Sequence, residues 1–211
     1  MPRQNRVTPF GELIATPARG TLTGNRGCLH DAHPQIRRSF QGQRWIICLL
    51  DFKGRSRQIM RPGHYTELFF LDEATALAAG HRPCAECQRP RFDLFRRLWV
   101  AANGPHGAGA LPSATEIDAA LHGERWAAGG RPIAHGAAFD ALPDGTFVAD
   151  DGGVAYLILA GQALQWTPEG YRRPPGEIDA GRAQIITPAS IVRVLAAGYP
   201  AGIHRSAGEP A

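Results

Sequence analysis

"GHRPCAECQRPRFDLF", residues 80–95, holds two of the chain's four cysteines, Cys84 and Cys87, in a C-x-x-C spacing. That spacing lets two thiolates reach one tetrahedral metal. The two intervening residues form a turn whose amides can hydrogen-bond to sulfur, and zinc–sulfur bonds of about 2.3 Å close the ring comfortably. Pro83 stiffens the approach. A helix starting near Pro90 points its positive end at the pair and favours the thiolate form. That feature would serve a redox dithiol equally. A redox pair, however, expects a strand before it and a helix immediately after, whereas here a helix and Gly80 come first. Arg82, Glu86, Gln88 and Arg89 make the surroundings too polar for simple core filling. Metal ligation is the reading that fits, with zinc as the cofactor.

A closed zinc site needs four ligands, so two must come from elsewhere. "GCLHDAH", residues 27–33, is the best source. If this loop is extended, Cys28 and His30 point the same way and bite together, with His33 next in line. Cys48 is the rival. It lies inside the apolar "RWIICLLDF", residues 44–52, where a free cysteine reads first as a small hydrophobe. His64 and His81 are weaker candidates.

Working outward, "YTELFFL" (65–71) reads as a strand, and Asp72 caps a short helix, EATALAA, which Gly80 ends in a left-handed conformation. Residues 44–52 read as a central strand covered on both faces. "ELIAT", "GTLTG" and "SRQIM" read as further strands, and residues 1–10 as loose. The helix from Pro90 runs to about Ala102 with Phe92, Phe95, Leu98 and Trp99 as its apolar stripe. "NGPHGAGALP" (103–112) reads as a linker, and Ser113 with Glu116 as a capping box for a third helix. Residues 142–166 spell a β-meander, with turns at Asp144-Gly145 and Gly152-Gly153 and a bend at Gly161. A last helix is capped by Thr187, with Pro188 first in the helix. The expected class is α+β. Its parts are a basic cysteine-bearing module (1–102), a linker and bridging helix (103–130), and a β-rich domain (131–211).

With 211 residues and 44% hydrophobic composition the chain can bury its core without disulfides. No apolar run is long enough for a signal peptide or a membrane span, so a cytoplasmic, reducing location is expected, with no membrane partner. Charge is uneven. Residues 1–100 carry sixteen Arg plus Lys against eight Asp plus Glu, and residues 101–211 carry seven against eleven. An anionic partner for the basic half follows as an expectation: nucleic acid, with DNA favoured. The acidic half would suit a protein partner. Candidate phosphate contacts are Asn25, Arg26, Lys53, Arg55 and Arg57 in two basic, Gly-containing turns, together with Arg82. The amides around Gly24 and Gly27 would add an anion nest.

"TELFFLDEATALAAGHRPCAEC", residues 66–87, resembles the second half of the zinc-binding module of the Ada DNA methylation repair family. The matching residues are Phe69, Phe70, Ala76, Leu77, Ala79, Gly80, Arg82, Pro83, Cys84 and Cys87. The resemblance implies that Cys84 and Cys87 are zinc ligands within antiparallel strands and two helices. The family's other ligand pair is a C-x-x-x-C, one cysteine of which accepts a methyl group from a DNA phosphotriester. No C-x-x-x-C occurs here, so Cys28 with His30, or Cys48, would take its place. The expected function is a zinc protein that binds nucleic acid, in DNA repair. The alternatives are zinc-thiolate alkyl transfer, a metal-dependent nuclease using His30, Asn25 and His33, or a structural zinc fold that presents the acidic half to a protein.

Overall fold

Strand pairing in the first half is decided by close approach. The computed structural model describes residues 1–54, 58–104, 111–125, 141–176, 178 and 183–208. Six strands form one sheet: β1 (Gln4–Val7), β2 (Leu13–Ala15), β3 (Leu22–Asn25), β4 (Ile46–Cys48), β5 (Leu68–Phe70) and β6 (Arg82–Pro83), in the order β2-β1-β5-β3-β4-β6. A Cβ on Gly24 of β3 would stand 2.1 Å from the Ile46 carbonyl oxygen, so only glycine lets β4 lie this close. The sheet is mixed: β1 runs parallel to β5 and β4 parallel to β6, and the remaining pairs are antiparallel.

Residues 1–10 are not loose, because Asn5 is buried and its Nδ2 donates to the Glu67 carbonyl at 3.1 Å, fixing β1 against β5. The strand expected over 44–52 is shorter than its apolar run. It stops at Cys48, and Leu49 and Leu50 turn outwards, 38% and 53% exposed. Residues 58–60 form no strand, and the rest of "SRQIM" lies outside the described residues.

The helices begin where the side-chain caps place them. Asp72 accepts from the Thr75 amide at 2.8 Å and opens α1 (Glu73–Ala78). Gly80, at φ +80°, closes it: its amide donates to the Leu77 carbonyl (2.8 Å) and the His81 amide to that of Ala76 (3.0 Å). α2 (Arg89–Asn103) buries Phe92, Phe95 and Trp99. In α3 (Ala114–Arg125) the expected capping box is present, with Ser113 N–H on Glu116 Oε2 at 2.7 Å and Glu116 N–H on Ser113 Oγ at 3.2 Å. α4 (Ala189–Ala196) starts one residue later than expected. Thr187 does not cap it, since its Oγ accepts from the Phe147 amide at 2.8 Å instead.

The meander read from the second half is present as β7 (Phe147–Ala149), β8 (Ala155–Leu159), β9 (Gln162–Thr167) and β10 (Gly170–Arg172), each antiparallel to the next. Ala160 and Gly161, both at positive φ, make the β8–β9 turn. β11 (Gln184–Ile185) adds to β7, giving the order β10-β9-β8-β7-β11.

Every residue of α1 is buried, because the helix lies between the sheets. Ala76 and Leu77 join the core of the first sheet, and Ala74 and Ala78 pack with Phe147, Leu157 and Tyr171 of the second. Its alanines are what allow both sheets to approach. Likewise Ile191 and Val194 of α4 share one core with Phe95 and Trp99 of α2, so packing runs across the expected division at residues 102 and 131. The class is α+β, with two sheets and four helices among the described residues. No described helix is long and apolar enough to cross a membrane.

Candidate metal centre

The site is assembled by one short parallel pair. β6 aligns with β4 so that Ile46 sits beside Arg82 and Ile47 beside Pro83. The Arg82 amide donates to the Trp45 carbonyl (3.1 Å) and the Cys84 amide to that of Ile47 (2.9 Å). One step further along, Cys48 meets Cys84. Pro83, which lacks an N–H, is tolerated because β6 is the sheet edge. Gln88 then locks the knuckle, its amide donating to the Cys84 carbonyl (3.2 Å) and its Nε2 to that of Ile47 (2.9 Å).

The result is a group of three sulfurs, those of Cys48, Cys84 and Cys87, all within 4.8 Å of one another. Tetrahedral zinc with bonds of about 2.3 Å needs sulfurs about 3.8 Å apart, so the thiols fit zinc with little movement. Their electrostatics favour the thiolate at one of the three. Cys84 Sγ accepts the amides of Glu86 (3.4 Å) and Cys87, and the thiol of Cys48 donates to it. The Cys48 bond is the largest of these effects, and together they draw Cys84 down to about 5. Cys48 is pushed far up by that same bond and by burial. Cys87 is also raised, chiefly by burial, although the Leu49 amide bonds to it. Cys84 is buried, whereas Cys48 and Cys87 are partly exposed, so the cluster opens to solvent on their side. α2 begins two residues after Cys87 and turns its N-terminus towards the site.

A buried fork holds the knuckle to α3. Arg82 Nε and Nη2 donate to Asp118 Oδ1 and Oδ2 at 3.0 and 2.8 Å, and Nη1 donates to the Pro83 carbonyl at 3.0 Å. Arg82 is 2% exposed and stacks on the Phe92 ring. It is a structural residue of the knuckle, because its burial leaves no guanidinium edge for a phosphate.

The other candidates lie apart from the thiols. Cys28 Sγ donates to the His30 carbonyl at 3.7 Å, and its amide donates to Gln41 Oε1. His30 is buried with both ring nitrogens engaged, Nδ1 with Thr66 Oγ (2.6 Å) and Nε2 with the Arg61 carbonyl (3.2 Å). Its two bonds tie the 27–33 loop to the 61–66 segment. Exposed His33 donates its amide to Asp31 Oδ1, closing a turn.

Among the phosphate candidates, Arg26 is 1% exposed, donates to the Gly11 carbonyl, and stacks on Trp45 beside Arg125; burial draws it down to about 9. It belongs to the core. Gly24 and Gly27 serve close packing against Ile46 and Gln41 rather than an anion nest. Asn25 ends β3 opposite Ile46, and Lys53 stands exposed in a left-handed turn, φ 56°. Arg55 and Arg57 lie outside the described residues.

Cys48 is the site residue that the sequence ranked below Cys28 and His30. The signal was the break in its strand: an apolar run followed by "DFKG" can end early and leave the cysteine at a strand terminus, where a thiol is reachable. No protein-family model, curated protein or solved structure matches the chain.

Proposed function

We propose that this is a zinc-binding protein whose metal is held by Cys48, Cys84 and Cys87. The observation that carries it is the convergence of three thiols with amide hydrogen bonds to two of them, a shell that suits thiolates and serves nothing in the core. The described residues supply three ligands, and three protein ligands with one further position is the pattern of reactive rather than purely structural zinc sites. Zinc would supply thiolate character at neutral pH and a Lewis-acid position. Amides bond to the sulfurs of Cys84 and Cys87. Amide bonds quench a thiolate and Cys84 is buried, so Cys48, which is partly exposed, is the sulfur that would act as nucleophile once zinc holds it as a thiolate. Following the resemblance to the Ada family, Cys48 would attack a methyl carbon of a DNA phosphotriester, forming an S–C bond while the C–O bond breaks and the phosphodiester anion leaves. The excess of positive charge in residues 1–100 supports a nucleic-acid partner, DNA in the first place.

The test begins with metal content. The wild type is expected to hold one zinc, which Cys48→Ser, Cys84→Ser and Cys87→Ser each lose and Cys28→Ser keeps. A fully folded wild type free of zinc after expression in zinc-supplemented medium overturns the proposal. For the finer reading, incubation with methyl-phosphotriester DNA should add the mass of one methyl group to the peptide containing Cys48. Binding of unmodified DNA should weaken steeply with salt.

A further inference from the structure

A cavity of about 730 Å³ opens between the segment leading into β3, the first turns of α1 and α2, and the chain from Gly202 to Arg205. It lies within the size range of small-molecule sites. Two carboxylates line it, Asp72 and Glu73, which at first suggests a cation. Their hydrogen bonds say otherwise. Asp72 accepts from the Thr75 amide and hydroxyl, the Tyr171 hydroxyl and the His204 amide, at 2.7–2.8 Å. Glu73 accepts twice from Arg91, and from the Tyr199 hydroxyl and the Gly202 amide. A carboxylate has about four lone-pair sites, so both are saturated and neither can serve a cation.

What remains unspent on the walls is donors. Arg19 and Arg205 are exposed, and their guanidinium groups have no partner among the described residues. Arg91 spends Nε and Nη2 on Glu73 and the Pro200 carbonyl and lies over the Tyr199 ring, and no hydrogen bond of its Nη1 is seen among the described residues. The Ser206 hydroxyl and amide meet His204 Nδ1 at 2.8 and 3.4 Å, and no hydrogen bond of Nε2 is seen among the described residues. Three guanidinium groups with spare N–H bonds suit an oxyanion, since each can meet two oxygens at once. The cavity exceeds one phosphate in size, and Leu22 and Ile203 offer apolar wall for carbon atoms.

We infer that this cavity binds a small organic oxyanion, a phosphate monoester or a carboxylate, through Arg19, Arg91 and Arg205. The inference is independent of the zinc reading, because none of these residues is a thiol ligand or bonds to one.

The test is calorimetric titration of the full chain with inorganic phosphate, adenosine monophosphate, citrate and a short single-stranded DNA. Saturable binding of the monophosphate or of citrate at about 1 mM or tighter is expected, with whichever binds identifying the oxyanion class. Arg19→Gln and Arg205→Gln, which break no side-chain hydrogen bond or ion pair among the described residues, should each weaken it about tenfold, the size of one charge-assisted hydrogen bond. Zinc content of the variants should be unchanged, which keeps a failure here separate from a failure of the metal site. Absence of small-molecule binding, affinity unmoved in both variants, or binding of the DNA alone would each overturn the inference.

Discussion

Replacing Asp118 by alanine should do far more damage than its position on a surface-lying helix suggests. Asp118 is 4% exposed and Arg82 is 2% exposed, and the two are joined by a two-bond fork. Removing the carboxylate leaves a guanidinium buried without its charge partner, which costs about 3–5 kcal/mol. Arg125 adds to the loss, since Asp118 is also the carboxylate that steadies its charge. Set against a typical total of about 5–15 kcal/mol, this is a large fraction. The damage falls on β6, the strand whose register brings Cys84 to Cys48, so zinc affinity should fall as well. Arg82→Met combined with Asp118→Leu removes both charges together. It should cost only about 1–3 kcal/mol, from the Pro83 carbonyl left without Arg82, the lost stacking on Phe92 and the carboxylate lost to Arg125. The assay is guanidinium denaturation of the wild type, Arg82→Met, Asp118→Leu and the double variant, with Asp118→Ala and competitive zinc titration alongside. A single variant losing less than about 1 kcal/mol, or a double variant losing the sum of the two singles, refutes the reasoning.

Three further outcomes are expected. Gly80→Ala should cost about 1–2 kcal/mol, because alanine at φ +80° is strained and its Cβ would stand 2.8 Å from Arg125 Cγ; an unchanged thermal midpoint would contradict this. Tyr171→Phe removes the hydroxyl at 2.7 Å from Asp72 Oδ2 and should lose about 1.5–3 kcal/mol in denaturant unfolding, while an isosteric exchange with no loss would show that the bond does not matter. His81 is fully buried, and burial followed by the charges of Arg26 and Arg125 pushes it well below its ordinary value. The unfolded chain therefore gains a proton near pH ~6.5 that the folded chain refuses, so stability is complete above that pH and declines below it by up to about 1.4 kcal/mol per unit. His81→Phe should flatten that acid limb in pH-dependent denaturation, and an unaltered slope between pH ~6.5 and ~5 would refute the assignment.

Local chemistry was legible in the residue order wherever neighbours along the chain decide the outcome. The cap of Asp72, the stop at Gly80, the Ser113–Glu116 box and the meander turns are all settled within a few residues, and each stands where the sequence puts it. The C-x-x-C turn is of the same kind, because its geometry needs only the chain between the cysteines. The third thiol is different. Cys48 and Cys84 are brought together by a parallel pairing, and such pairings carry no short-range signal since the strands must be joined by a long crossover. The same holds for the arginines. Composition shows the positive charge of the first hundred residues, but only packing decides that Arg26 stacks on Trp45 and Arg82 forks onto Asp118, while Arg19 and Arg205 face a cavity. The sequence by itself determined that a C-x-x-C turn able to hold a metal exists and how it is presented. The tertiary structure decided which distant sulfur joins it and which charges remain free, because both depend on contacts between segments far apart in the chain.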